Sequence, residues 1–240
     1  MYKYFINIFL LFIVVNVFAQ EQKKDKPSET KDTIIYKSPY GIRLGLDISK
    51  PIKAAIDGYY ESGFEIVGDY RISKRFFVAA ELGYEEETNA EEFTNSTAKG
   101  SYARLGFNFN AYENWLDMNN EIFLGFRYGF SVFDQTLNSY TPNVVNGEDN
   151  GSPYFPSSIV PTGTTTSLNA HWTEFMLGFK VETFKNFYVS ASFSYKILVS
   201  AKEPDNFKTL YAPGFNRIFE SGTGFGFNYT LTYLIPFSKR

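Results

Sequence analysis

The stretch Gly224-Phe-Gly-Phe-Asn-Tyr-Thr-Leu-Thr-Tyr-Leu-Ile-Pro-Phe237 decides the fold. Phe225, Phe227, Tyr229, Leu231, Tyr233 and Ile235 share one parity; Gly224, Gly226, Asn228, Thr230 and Thr232 share the other. A period of two sustained this long is an extended strand with one large apolar face and one small polar face.

The same alternation recurs upstream. Large apolar residues hold one parity over 40–48 (Ile42, Leu44, Leu46), 63–72 (Phe64, Ile66, Tyr70), 76–85 (Val78, Leu82) and 101–111 (Leu105, Phe107). It continues over 122–132 (Leu124, Phe126, Tyr128), 171–182 (Phe175, Leu177, Phe179) and 187–199 (Val189, Phe193, Ile197). Eight such segments, each near the nine to eleven residues that cross a bilayer at a barrel's tilt, predict an all-β, eight-stranded antiparallel up-and-down transmembrane β-barrel. Its body spans 39–237.

The links orient it. Ser73–Arg75, Tyr112–Asn120 and Thr183–Asn186 are short, whereas Ser49–Ser62, Glu86–Gly100, Asp134–Ala170 and Ser200–Gly222 are longer. Short periplasmic turns and long extracellular loops are the rule for such barrels, so both termini are expected in the periplasm and the barrel in the cell outer membrane. A soluble eight-stranded barrel would reverse the faces, putting apolar side chains around a ligand and charged ones in water. The glycine- and serine-rich polar face here suits a lumen better.

The N-terminus agrees. Lys3 precedes the apolar run Phe5–Phe18, and Val17-Phe18-Ala19 offers a cleavage site, so 1–19 reads as a signal peptide cut after Ala19. That run is shorter than the roughly twenty residues of a spanning helix. Residues 20–38 are polar and aperiodic, a disordered periplasmic leader. Within it, Asp32-Thr33-Ile34 resembles the O-glycosylation acceptor of Bacteroidota secreted proteins. Residues 238–240 form a short tail.

Composition narrows the chemistry. The chain has no cysteine, which excludes a disulfide framework and an acylated N-terminus. Aromatics make up 19% of it, as interfacial girdles require. A net charge of −3 without a basic tract argues against nucleic acid as a partner. The expected partners are outer-membrane lipids and lipopolysaccharide.

Parity puts Arg43, Arg104, Arg127, Lys180 and Lys196 in the lumen with Asp47, Glu65, Asp69, Glu81, Glu174 and Glu182. An eight-stranded barrel has interior room for side chains alone, so these charges are expected to pair and plug it. A proton or ion path along them, a narrow channel, is the alternative. Catalysis has one handle, the single histidine His171, near the outer end of its strand beside Trp172 and two residues from Thr173. It leaves open a lipid A-modifying enzyme of the kind that uses a rim histidine and a serine; the simpler expectation is a headgroup-level histidine. Glu85, Glu86, Glu87, Glu91 and Glu92 read as an acidic second outer loop, solvated, with no metal site and no cofactor expected. In the fourth outer loop Phe207, Leu210, Tyr211 and Phe215 are expected on the rim or against another envelope protein, the best candidate for partner docking.

The stretches Tyr40–Pro51, Leu168–Phe175 and Glu203–Phe207 resemble a Bacteroidota family of small outer-membrane β-barrels of unknown function, over about residues 39–237. That resemblance implies location and fold and brings no catalytic residues. The functional expectation is a non-enzymatic outer-membrane barrel, a structural or accessory subunit of a larger envelope complex.

One outcome follows from the last strand. Its aromatic parity is what insertion machinery reads, so deleting Ser238–Arg240 is expected to leave insertion near normal, while Tyr229→Ala with Tyr233→Ala impairs it. Heat-modifiable gel mobility of outer-membrane fractions checks both.

Overall fold

A computed structural model of the protein describes residues 39–56, 61–113, 119–141, 160, 164–204 and 207–239. The expected signal peptide at 1–19, the leader at 20–38 with Thr33, and Arg240 lie outside the described residues. Eight of the described strands close into one antiparallel barrel: β1 (Pro39–Asp47), β2 (Glu61–Arg71), β3 (Phe76–Ala90), β4 (Thr94–Asn110), β5 (Glu121–Tyr140), β6 (Thr164–Phe184), β7 (Phe187–Ala201) and β10 (Thr223–Lys239). Each of these pairs with its neighbour in sequence, and β1 with β10 completes the ring. A helix α1 (Ser49–Ile56) follows β1, and a two-strand hairpin, β8 (Tyr211–Ala212) and β9 (Asn216–Arg217), lies between β7 and β10.

The apolar parity faces outward on every barrel strand. Leu46, Phe64, Leu82, Leu105, Leu124, Phe175, Val199 and Phe227 are all more than half exposed. Leaving so much aliphatic and aromatic surface in water would cost several times the stability of a folded domain. Hydrocarbon removes that cost, and a closed ring leaves no strand edge in it. The fold is a transmembrane β-barrel. Rings also run across strands on this face: Phe126 lies 5.8 Å from Phe107 and 5.4 Å from Phe175.

Both ends of the described barrel meet at one rim, where Pro39 pairs with Lys239. The turns of this rim, around 72–75, 111–120 and 185–186, are the short ones expected. At the opposite, loop-bearing rim, one expected loop is largely absent. Residues 86–90 and 94–100 continue β3 and β4, leaving the turn Glu91–Phe93 closed by the Glu91 amide donating to Thr94 O at 2.7 Å. Cross-strand polar pairs sustain this extension, including Thr88 with Thr97 at 2.8 Å. The acidic run is therefore divided by strand parity: Glu85 and Glu87 are buried inside, Glu86 is on the outer face.

A proline has no N–H for a ladder bond, yet β10 runs through Pro236 to Lys239. The Leu234 amide, two residues earlier, points toward Asn186 in the β6–β7 turn. Pro236 has the same orientation beyond that turn, so its missing N–H removes no ladder bond. The register with β1 then shifts, Gly41 pairing with Pro236 and Tyr40 with Ser238. Two of the expected tail residues thus belong to the strand.

Phe126, half-exposed mid-strand between two other rings, tests the lipid assignment. Phe126→Arg is expected to cost about 2–4 kcal/mol in urea unfolding from lipid vesicles, as an arginine near the midplane does. Strong aqueous labelling of Phe126→Cys would contradict the placement.

The charged lumen and its internal plug

Alternate residues of every strand point into the barrel, and their chemistry falls into layers. Toward the terminal rim, Arg43 of β1 bonds Asp69 of β2 at 2.5 Å and Glu121 of β5 at 2.5 Å. Lys180 of β6 reaches the other oxygen of Asp69, also at 2.5 Å. The Arg43 guanidinium lies 4.5 Å from the centroid of Phe77 and 5.2 Å from that of Tyr188, aromatic faces that favour a cation. Glu121 lies one residue before the alternation that defines the fifth strand, which is why periodicity alone missed it.

Deeper toward the loop rim, Arg104 of β4 is the hub. It ion-pairs with Glu65 of β2, with Glu81 of β3 at 2.7 Å and with Glu174 of β6 at 3.1 Å. Arg127 adds a second contact to Glu81 at 3.1 Å, and Lys196 stands 3.9 Å from Glu174. Two neutral donors complete the carboxylates: the Tyr102 hydroxyl donates to Glu65, and the Trp172 indole N–H donates to Glu174 at 2.6 Å. All six charged members of this layer are buried.

The eleven lumen charges expected from parity therefore do not form one network. Asp47 serves locally: it accepts the Ser49 amide at 2.6 Å, capping the first turn of α1, and a bond from Asn228. Glu182, also expected inside, accepts the Asn186 amide at 2.8 Å and holds the β6–β7 turn.

The lumen also carries aromatic side chains that the polar parity did not announce. Tyr102 lies opposite Gly83, Trp172 opposite Gly129 and Phe123 opposite Gly178, each a directly paired position. A Cβ on Gly129 would meet the Trp172 ring at 2.1 Å, and one on Gly83 would meet Tyr102 at 2.3 Å. These glycines are the beds on which inward rings lie flat, covering backbone that a bare glycine leaves open. A glycine cross-strand from an inward aromatic is the sequence signal that marks them.

Above the Arg104 layer the fourth loop turns inward. Tyr211 is 4% exposed and Phe215 0%, so neither is on a surface open to a partner. This corrects their expected docking role; Phe207 and Leu210 are half-buried. The reason is that the barrel mouth already offers an apolar bed. Phe215 packs edge-on against Trp172 at 6.0 Å, within a cluster that includes Ala98, Tyr102, Phe133, Leu168 and Ala212. Polar clamps fix the hairpin: Glu85 accepts the Tyr211 hydroxyl at 2.7 Å and the Gly214 amide at 2.8 Å, and Lys196 donates to Gly214 O at 2.6 Å. Gln135 bonds both Lys208 O and the Leu210 amide at 3.1 Å. Gly214 has φ +81°, and a Cβ there would lie 2.6 Å from the Tyr102 ring, so only glycine makes this turn.

Between the two charge layers a cavity of about 40 Å³ is lined by Asp69, Glu81, Arg127 and Lys180. That is room for on the order of three water molecules. A further cavity of about 10 Å³ adjoins Arg43 and Glu121.

His171 faces away from all of this. It sits on the outer wall, its Nδ1 2.9 Å from the Tyr128 hydroxyl and its ring 4.7 Å from that of Phe130. Its neighbour Trp172 points inward and is buried. Among the described residues, no group of three or more His, Asp or Glu side chains is arranged to hold a metal ion.

The whole chain, residues 1–240, matches the family described as Domain of unknown function (DUF6048). The chain belongs to that family. No curated protein matches this DUF6048 chain. Among solved structures it is similar to Ail, the attachment invasion locus protein of Yersinia pestis, with 10% sequence identity and a TM-score of 0.39, over 82% of this chain and 98% of that one.

Arg104 is the shared ion-pair partner of three buried carboxylates, so Arg104→Gln is expected to cost about 3–5 kcal/mol, the effect of orphaning a buried charge. A lowered urea midpoint in vesicles, with loss of the blue-shifted Trp172 emission, is the measurement.

Proposed function

We propose that this DUF6048 barrel is a non-conducting, non-enzymatic protein of the cell outer membrane that serves as a structural or accessory subunit of a larger envelope complex. Its short turns and both chain ends face the periplasm, and its loop-bearing rim faces outward. The observation that carries this reading is the filling of the lumen: two ion-paired layers below, and a hairpin clamped by Glu85, Gln135 and Lys196 above. A barrel so filled does its work with its surface.

The docking surface lies on the exposed remainder of the fourth loop, where the mouth meets the β3–β4 turn. Arg217 ion-pairs with Glu91 at 2.6 Å and lies over the Phe219 ring at 5.0 Å. Phe219 and Phe93, at the two ends of this link, are 51% and 46% exposed. Large exposed rings beside a fixed ion pair are the composition of an interaction patch. The outward His171, bonded to a tyrosine hydroxyl among lipid-facing rings, supports an interfacial anchoring role in place of catalysis.

Three measurements test this. Planar bilayers containing the protein are expected to show no discrete conductance steps, and His171→Ala to leave the lipid A mass profile unchanged. Pull-down in mild detergent is expected to retain a stoichiometric envelope protein that is lost on Phe93→Ala with Phe219→Ala. Conductance, an altered lipid A profile, or retention of the same protein by the double variant would overturn the reading.

A further inference from the structure

The barrel wall is uneven in one place. β1 ends at Asp47, which pairs with Thr230 of β10 and Glu65 of β2. Both neighbours continue toward the loop rim: β10 through Tyr229, Phe227 and Phe225 to Thr223, and β2 through Phe64. The outward side chains on these continuations are still apolar, Phe64 57%, Phe225 59% and Phe227 64% exposed, and Phe225 stacks on Phe193 at 5.6 Å. The apolar belt therefore rises past the end of β1, and at that height β2 and β10 lose the strand they share. Backbone groups facing such a gap need partners, because hydrocarbon supplies none.

Two partners come from outside the barrel strands. The Ile48 amide, leading into α1, donates to Tyr229 O at 2.8 Å. Asn216 of the plug hairpin donates its side-chain amide to Phe225 O at 3.2 Å. The helix α1 itself packs against β2 and β10. Its inward side is fixed by Lys50, whose amine reaches Glu85 at 2.9 Å and lies over the Tyr102 ring at 5.1 Å. Lys50 and Ala54, about 40° apart around the helix, are half-buried. At 100° per residue, Ile52 and Ile56 fall on the opposite side, one turn apart, and they are 45% and 77% exposed. Between the helix and the lumen lies a cavity of about 200 Å³, lined by Lys50, Glu65, Arg104, Lys196, Asn216 and Phe227.

We propose that α1 is a membrane-embedded panel of the barrel wall: it closes the lateral gap between β2 and β10, and its Ile52–Ile56 face contacts lipid hydrocarbon. The occupant of that face is the bilayer itself, because it continues the belt formed by Phe64, Phe225 and Phe227 at the same height. The helix is amphipathic across the wall, apolar to lipid and cationic to the lumen, and the plug seals the gap from within.

The chain has no cysteine, so single-cysteine variants report one site each. Ile52→Cys and Ile56→Cys, labelled with an environment-sensitive NBD probe, are reconstituted in phosphatidylcholine vesicles, with Phe227→Cys as the lipid reference and Lys208→Cys as the aqueous one. Heat-modifiable mobility first establishes that each variant has folded. The expected result at both isoleucines is quenching by a lipid-borne nitroxide comparable to that at Phe227, and iodide quenching at least about threefold weaker than at Lys208. Iodide quenching equal to that at Lys208 places the face in water, and protection from both quenchers places it under protein; either result overturns the proposal. Should one isoleucine variant fail to fold, the other, about 40° away on the same face, reads it by the same criteria.

Discussion

A backbone amide in hydrocarbon has no water to bond, and this constraint organises the molecule more than any side chain does. Eight strands satisfy it by closing on themselves, β1 against β10, so that no edge is exposed to lipid. Where the ring is imperfect the chain compensates locally. Pro236 stands where its missing N–H faces past the end of β7, and the Tyr229 and Phe225 carbonyls beside the short β1 accept from Ile48 and Asn216.

Closing so small a ring creates the second constraint. The interior admits side chains and little else, and half of every strand must enter it. A charge sent there loses its hydration and survives only with a partner, so Arg104 holds three carboxylates and Arg43 two. Rings sent there need flat beds, which Gly83, Gly129 and Gly178 provide. The ionic layers join strands distant in sequence, such as β1 with β5 and β2 with β6, while the ring–glycine pairs lock adjacent strands together. The lumen is in this sense the core of the protein, turned polar because the solvent outside is apolar.

The plug extends that logic to the mouth. Aromatics in an extracellular loop read, on composition alone, as a surface awaiting a partner. Here the partner of Tyr211 and Phe215 is the barrel's own interior, where Trp172, Phe133 and Leu168 form a bed and Glu85 and Lys196 hold the Gly214 turn. The remainder of the rim around Phe93 and Phe219 stays exposed.

The sequence by itself determined the number of barrel strands, their faces and the short links of the terminal rim, because a period of two is a local property of the chain; it read 86–100 as a long loop where β3 and β4 run on to a three-residue turn. It also placed most of the lumen charges, since parity fixes the side of the wall on which Arg104 or Glu174 emerges, but it left out Glu85, Glu87 and Glu121. Only the tertiary structure decided who meets whom. That Glu121 joins Arg43, that Asp47 caps α1 and bonds Asn228 without joining either ionic layer, and that Glu85 leaves the acidic run to clamp Gly214 depend on contacts across the ring. It also decided that Tyr211 and Phe215 face inward. Parity tells which way a side chain points along one strand; the stagger between strands and the return of a loop over the mouth set what lies opposite, and those are properties of the closed barrel alone.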